Sequence, residues 1–76
     1  MESFESVLGR VLAEARRRVG FSQEALAYRC KLHPTYISQL ERGLKSPTIR
    51  VLITLSAALN VRPSDLLRAT EERGGF

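Results

Sequence analysis

Hydrophobic residues recur at intervals of three and four over positions 4–19, and charged residues fill the positions between them. This spacing predicts an amphipathic α-helix. Its apolar positions are Phe4, Val7, Leu8, Val11, Leu12, Ala15 and Val19. Ser3 is a candidate cap, and Gly20 can take the left-handed conformation that ends a helix. Gly9 lies inside the helix, where glycine costs about 1 kcal/mol relative to alanine, so we expect close backbone packing there.

Two short helices are predicted next, separated by a three-residue turn at 31–33. Ser22 offers a side-chain oxygen to the free amides at the start of QEALAYRC. Pro34 fits the first position of a third helix, where its missing N–H costs nothing, and Gly43 closes that helix. Two such helices cannot bury their apolar stripes alone. We therefore expect a helix-turn-helix packed against the first and fourth helices.

A fourth and a fifth helix complete the pattern. Pro47 precedes the most apolar helix, and Pro63 opens the last one, whose end Gly74 and Gly75 allow to fray. The predicted inward stripe of the fourth helix is Ile49, Leu52, Ile53, Leu55, Ser56 and Leu59. No segment alternates apolar and polar residues as a strand does. The sequence therefore predicts an all-α, compact five-helix bundle.

Length and composition narrow the class of protein. At 76 residues and 8.5 kDa, residues 1–76 have room for one domain with a single small core. The lone cysteine, Cys30, excludes an internal disulfide and favours a reducing cytoplasm. The longest apolar stretch, 51–61, is interrupted by polar residues and falls short of the roughly 20 residues that cross a bilayer. We expect a soluble cytoplasmic chain with no membrane partner.

The positive charge is concentrated in the middle of the chain. The formal net charge is +4. Segment 29–50 holds five cations and one carboxylate, which equals that whole excess, and the flanking segments are each balanced. The members are Arg29, Lys31, Arg42, Lys45 and Arg50, against Glu41. A localised basic field suits a polyanion. The alternative is a solvated surface with counterions.

The segment LGRVLAEARRRVGFSQEALAYRCKLHPTYISQLERGLKSP resembles the XRE-type DNA-binding domain of phage Cro and lambda-type repressors. Its most specific elements are GFSQEALA, the spacing to YISQLERG, and SPTIRVL. The resemblance extends from about Val7 to Leu67 and leaves 68–76 as a C-terminal tail. The chain is also similar to the small controller proteins of restriction-modification systems. It departs from the family at Lys31, where glycine is usual and a left-handed lysine costs about 1 kcal/mol.

The start of the third helix carries the candidate base contacts. An α-helix fits the major groove of DNA with its N-terminal residues nearest the bases. The exposed positions are predicted to be Pro34, Thr35, Tyr36, Ser38 and Gln39. The resemblance implies that Pro34, Thr35 and Gln39 reach bases, and the Gln39 amide can pair bidentately with adenine. Tyr36 is equally suited to packing inward.

Candidate phosphate contacts surround that helix. Ser22 and Gln23 begin the second helix, where free amides attract an anion, and the resemblance implies a phosphate contact for Gln23. The other predicted phosphate contacts are Lys31, His33, Arg42 and Lys45. The resemblance also implies a structural ion pair between Arg16 and Glu41. The alternative is two unrelated surface charges.

These features predict a sequence-specific regulator of transcription, acting on the bacterial or phage nucleoid. Because one domain reads few base pairs, we expect a homodimer on pseudo-palindromic double-stranded DNA. Candidate dimer contacts are Leu44, Val51, Leu67 and Phe76. The alternative is a non-catalytic protein-interaction module on the same fold, with an antitoxin-like or scaffold role.

Other chemistry has little support in the sequence. Cys30 and His33 have the spacing of two metal ligands, but a structural zinc site needs four, so we expect no metal. His33 is then a helix cap or a phosphate contact. It is also the single histidine and lies beside no carboxylate, so we expect no enzyme, cofactor or small-molecule ligand.

Overall fold

The computed structural model describes residues 2–76, and that range contains five α-helices and no strand. The helices are α1 (Phe4–Arg18), α2 (Gln23–Cys30), α3 (Pro34–Glu41), α4 (Ile49–Ala58) and α5 (Pro63–Gly74). The predicted all-α, five-helix architecture is confirmed. None of these helices is both long enough and apolar enough to cross a membrane.

Side-chain caps fix where the helices begin. The hydroxyl oxygens of Ser3, Ser22 and Thr48 each accept a hydrogen bond from the backbone N–H three residues further on. Each bond pairs one of the amides that the first turn of a helix leaves free. At α3 the cap is His33, whose Nδ1 accepts from the backbone N–H of Thr35 at 3.1 Å. His33 therefore acts as a cap, one of the two roles predicted for it.

One hydrophobic core joins all five helices. Its buried members are Leu8, Val11, Leu12, Ala15, Leu26, Ala27, Cys30, Ile37, Leu40, Leu52, Leu55, Leu59 and Leu66. Helix α3 packs against α1 and α2, and α2 packs against α4. The helix-turn-helix is therefore supported by α1 and α4, as predicted. Cys30 lies in this core as a small apolar residue, and burial raises the pKa of its thiol.

The turn between α2 and α3 keeps its geometry although glycine is absent. Lys31 takes the left-handed conformation, with φ of 56°. The N–H of Leu32 then reaches the carbonyl oxygen of Ala27 at 2.9 Å and closes the end of α2. Lysine thus accepts a strained conformation in this turn, which keeps its charge at the surface beside α3.

Helix α1 meets the end of α3 at backbone distance. A Cβ placed on Gly9 would lie 2.5 Å from the carbonyl oxygens of both Leu40 and Glu41. Gly43, with φ of 75°, also approaches α1 closely. A Cβ placed on Gly43 would lie 2.7 Å from the Cα of Ser6. The close packing predicted at Gly9 is confirmed, and it fixes the C-terminal end of α3 against α1.

The structure differs from the sequence prediction at two places, and the predicted stripe of α4 is wrong at two residues. Ile49 and Ile53 are 71% and 52% exposed rather than part of the core stripe. Helix α4 buries the face of Leu52, Leu55, Ser56 and Leu59, and the two isoleucines lie beside it. Helix α5 extends to Gly74, and the N–H of Gly75 donates to the Glu71 carbonyl at 2.8 Å. Residues 68–74 are thus helix rather than tail.

Candidate nucleic-acid interface

Helix α3 has one face in the core and one facing outward. Ile37 and Leu40 are buried beneath it. The opposite stripe consists of Thr35, Ser38, Gln39 and Arg42, which follow one another at intervals of three, one and three. Thr35 and Arg42 are exposed, and Ser38 and Gln39 are half-buried. The outward stripe therefore presents a hydroxyl, an amide and a guanidinium along a single line.

The other two candidate base contacts differ in their surroundings. Pro34 occupies the first position of α3 and is half-buried. Tyr36 is also half-buried and packs against the hydrophobic core, so the structure favours inward packing over a contact with bases. The Gln39 amide makes no side-chain hydrogen bond within residues 2–76, so its donor and acceptor atoms are available to a ligand.

Arg16 and Glu41 form a two-bond ion pair between α1 and α3. The Arg16 Nε donates to Glu41 Oε2 at 2.7 Å, and Nη2 donates to Oε1 at 3.0 Å. Their side chains are only 10% and 6% exposed. The Arg16 Nη1 also donates to the Phe21 carbonyl at 2.8 Å, and its hydrogen bond to Glu41 raises the pKa of the Arg16 guanidinium.

Gln23 joins the same carboxylate from α2. Its Nε2 donates to Glu41 Oε1 at 2.9 Å, so Glu41 holds α1, α2 and α3 together. This bond could not be predicted from the sequence, because 18 positions separate the two residues and no local pattern marks the contact. The amide of Gln23 has a second N–H, which remains available for an anion. Beside it, Ser22 caps α2 and is exposed.

Cations lie at both ends of α3. His33 caps its N-terminal end beside the cation Lys31, and the cations Arg42 and Lys45 lie at its C-terminal end; all four side chains are exposed. Their electrostatic field is not offset by Glu41, which pairs inward with Arg16. The fourth cation of segment 29–48, Arg29, has its guanidinium carbon 4.6 Å from the centre of the Phe21 ring. A cation–π contact of this kind holds the Arg29 guanidinium against the Phe21 ring.

The four candidate dimer contacts do not share one environment. Val51 and Leu67 pack partly against the core. Phe76 is exposed but makes an edge-to-face contact with Phe4, at 5.5 Å between ring centres. Leu44, 62% exposed, has no such partner. Ile49 and Ile53 are exposed as well and line a shallow groove of about 320 Å³ with Arg50 and Thr54.

A second groove, of about 360 Å³, opens between α1 and the helix-turn-helix. Its lining residues are Arg10, Ala13, Glu14, Arg17, Gln23, Glu41 and Arg42. The place of Arg17 in this groove could not be predicted from the sequence, because its position in a run of three arginines carries no signal of its own. No group of three or more histidine, cysteine, aspartate or glutamate side chains comes together anywhere in 2–76.

The helix-turn-helix family matches residues 12–66 of the chain. Among proteins of known role, the control protein C.BamHI of Bacillus amyloliquefaciens is 49% identical over 49 residues. That alignment covers 64% of this chain and 60% of the relative, so the chain spans less than two thirds of that relative's length.

Solved structures show the same architecture. The clp gene regulator ClgR from Corynebacterium glutamicum superposes with a TM-score of 0.90 at 28% identity, over 95% of this chain and 77% of the other. The master regulator for biofilm formation SinR, solved in complex with DNA, gives a TM-score of 0.76 at 33% identity, over 79% of this chain and 97% of the other.

Proposed function

Because the chain belongs to the helix-turn-helix family, as its resemblance to XRE-type domains indicated, we propose that it is a sequence-specific regulator of transcription. It binds double-stranded DNA as a homodimer and inserts α3 into the major groove. The observation that carries this proposal is the outward stripe of α3, bounded by exposed cations at both ends. A helix of this form fits the major groove, and cations beside it suit the flanking phosphates.

Base readout rests mainly on Gln39. Its amide has no other hydrogen bond in the described chain and can donate to N7 and accept from N6 of one adenine, an arrangement worth about 1–3 kcal/mol of discrimination. Thr35, exposed at the start of the stripe, offers a hydroxyl to a base or its methyl group to thymine. Pro34 and Ser38 add contacts at the margins of the readout.

Phosphate binding rests on groups that are already oriented. Ser22 caps α2, and the Gln23 side chain is held by Glu41 with its second N–H free. The exposed cations Lys31, Arg42 and Lys45, with His33, extend this surface along α3. With four or five phosphate contacts in each subunit, the logarithm of the affinity of a dimer falls with the logarithm of salt concentration at a slope of roughly −8.

Exposed apolar side chains support a dimer surface formed by Leu44 and α4. Ile49 and Ile53 are four residues apart and therefore lie on one face of α4. A two-fold axis through this face would pair each patch with its own copy. Binding to half-sites about 34 Å apart requires the two α3 helices of such a dimer to lie on the same side of it.

Similarity to C.BamHI supports a narrower role as a controller of a restriction-modification system. Repression or activation then follows from the position of the operator relative to a promoter. If the controller role is right, the preferred duplex should occur upstream of the restriction or controller genes in the same genome.

Selection of bound duplexes from a random pool tests the proposed function, with a salt titration of the best duplex. We expect a pseudo-palindromic consensus and a steep salt dependence. Selection repeated with Gln39→Ala should lose preference at one position in each half-site, whereas Arg42→Ala should weaken all duplexes alike. A chain that bound no duplex even at low salt would instead be a protein-interaction module, and the proposal would be wrong.

A further inference from the structure

The groove between α1 and the helix-turn-helix collects three arginines and two carboxylates. Most of these charges are already paired with residues in or outside the groove. Arg10 forms an ion pair with Glu2, and Glu14 pairs with Arg73. Glu41 is neutralised by Arg16 from within the core. The carboxylates that line the groove therefore do not oppose an incoming anion.

Two of the three guanidinium groups that line the groove have no carboxylate partner in the described chain. Arg17 is exposed and forms no ion pair or side-chain hydrogen bond within 2–76. Arg42 makes one long bond, from its Nε to the Ser38 carbonyl at 3.4 Å, which leaves its terminal nitrogens free. The two groups approach the same groove from α1 and from the end of α3. Between them, Gln23 contributes its second N–H.

We propose that Arg17, Arg42 and Gln23 bind one backbone phosphate of the DNA in this groove. The inference rests on the proposed function, because it takes DNA to lie along Gln23 and α3. Planar guanidinium groups match the geometry of a phosphate and form paired hydrogen bonds with its oxygens. The site adds a phosphate contact from α1 to those made by the helix-turn-helix. Arg17 is the residue that supplies this contact.

A matched pair of variants tests this assignment. Arg17→Gln removes the charge from the groove, and Arg18→Gln removes it from the neighbouring exposed residue, which does not line the groove. We expect Arg17→Gln to weaken operator and non-specific duplexes by the same factor, about tenfold, and to reduce the salt slope by about one for each subunit. Arg18→Gln should leave the slope near that of the natural chain. Both variants should melt at the natural temperature, because neither side chain makes a contact that folding requires.

Neutral phosphate analogues locate the contact. In a series of operator duplexes, one phosphate at a time is replaced by an uncharged methylphosphonate, and affinity is measured by fluorescence anisotropy. The natural chain should lose affinity at the phosphate bound in the groove, and Arg17→Gln should show no further loss at that phosphate alone. Arg17→Lys, which keeps the charge but not the planar group, should recover most of the salt slope.

The outcomes separate this inference from the function on which it rests. Suppose that the DNA affinity of the natural chain falls steeply with salt concentration and that Arg17→Gln has the same salt slope. The phosphate site is then wrong and the proposed function stands. Equal effects of Arg17→Gln and Arg18→Gln would likewise overturn the site, since they would reflect net charge only. A natural chain that fails to bind any duplex would overturn both.

Discussion

The carboxylate of Glu41 accepts two hydrogen bonds from the guanidinium of Arg16, which ties the last turn of α3 to α1. Both side chains are almost fully enclosed, so the pair is a structural element and not a surface contact. The same carboxylate also receives the amide of Gln23. One side chain thus determines how three helices meet beside the proposed DNA surface.

Removing Arg16 should destabilise the fold. Arg16→Ala leaves Glu41 as a buried charge with its main partner missing, a change worth about 3 kcal/mol. For a domain of this size we expect the melting temperature to fall by roughly 10–20 °C, as followed by circular dichroism. Arg18→Ala, at an exposed position on the same helix, should melt like the natural chain. Equal melting of the two variants would contradict a structural role for the pair.

Gly9→Ala should destabilise the protein although alanine is the better helix former. Helix propensity alone predicts a gain of about 1 kcal/mol. The added Cβ would lie 2.5 Å from the carbonyl oxygens of Leu40 and Glu41, so α1 and α3 would have to separate. We expect a net loss of about 1–3 kcal/mol in chemical denaturation. The sign of the change decides the matter, since stabilisation would mean that the helices do not approach this closely.

Lys31→Gly should separate stability from DNA binding. Glycine adopts the observed left-handed conformation without strain, so we expect the free energy of unfolding to rise by about 1 kcal/mol. The variant also loses one exposed cation beside α3, which should weaken binding to all duplexes and reduce the salt slope. Unfolding by urea and anisotropy titrations measure the two effects. Unchanged affinity would remove Lys31 from the proposed phosphate contacts.

Ile53→Asp should dissociate the proposed dimer without unfolding the subunit. The side chain is exposed, so a carboxylate there does not enter the core, but two copies would face each other across a two-fold axis. We expect the mass in analytical ultracentrifugation to fall to that of one chain, with the helical circular dichroism retained. Tyr28→Asp is the control, because Tyr28 is 87% exposed on α2 and is not one of the residues proposed for the dimer surface. A dimer that survives Ile53→Asp would place the interface elsewhere.

The ion pair between Glu14 of α1 and Arg73 of α5 should make the stability of the fold depend on pH. Two hydrogen bonds from Arg73, at 2.8 and 2.5 Å, lower the pKa of Glu14 below its ordinary value of 4.5. A carboxyl with a lowered folded-state pKa stabilises the fold above its unfolded value, and that contribution is lost as pH falls through the folded value. At neutral pH the natural chain should therefore have a higher melting temperature than Glu14→Gln. This difference in melting temperature should vanish in acid. A difference that persisted unchanged in acid would refute the role of the Glu14 charge.

Local features of the fold could be predicted from sequence because each has a local cause. A serine hydroxyl at the start of a helix pairs a free amide, as Ser3 and Ser22 do. Glycine in the middle of a helix signals a close neighbour, as Gly9 does. The surface of α4 could not be predicted in this way. Positions 49 and 53 are four apart, and that spacing fits a buried stripe and an exposed stripe equally well.

The candidate site likewise has features that local sequence predicts and features that it does not. The outward stripe of α3 follows from the period of the helix once Ile37 and Leu40 are placed in the core. The bond between Gln23 and Glu41 depends instead on how separate helices meet, which no run of neighbouring residues encodes. The same holds for Arg17, which matters only because the end of α3 brings Arg42 to the same groove.

The shared carboxylate limits how the proposed operator specificity of this protein could change. Since Glu41 anchors Arg16 and Gln23 together, tilting α3 would also displace the amide that is proposed to grip the backbone. Substitutions at Thr35, Ser38 or Gln39 change the outward face and leave this joint intact. New binding sequences are therefore most accessible through exchange of these side chains, with the angle of the helix inherited unchanged.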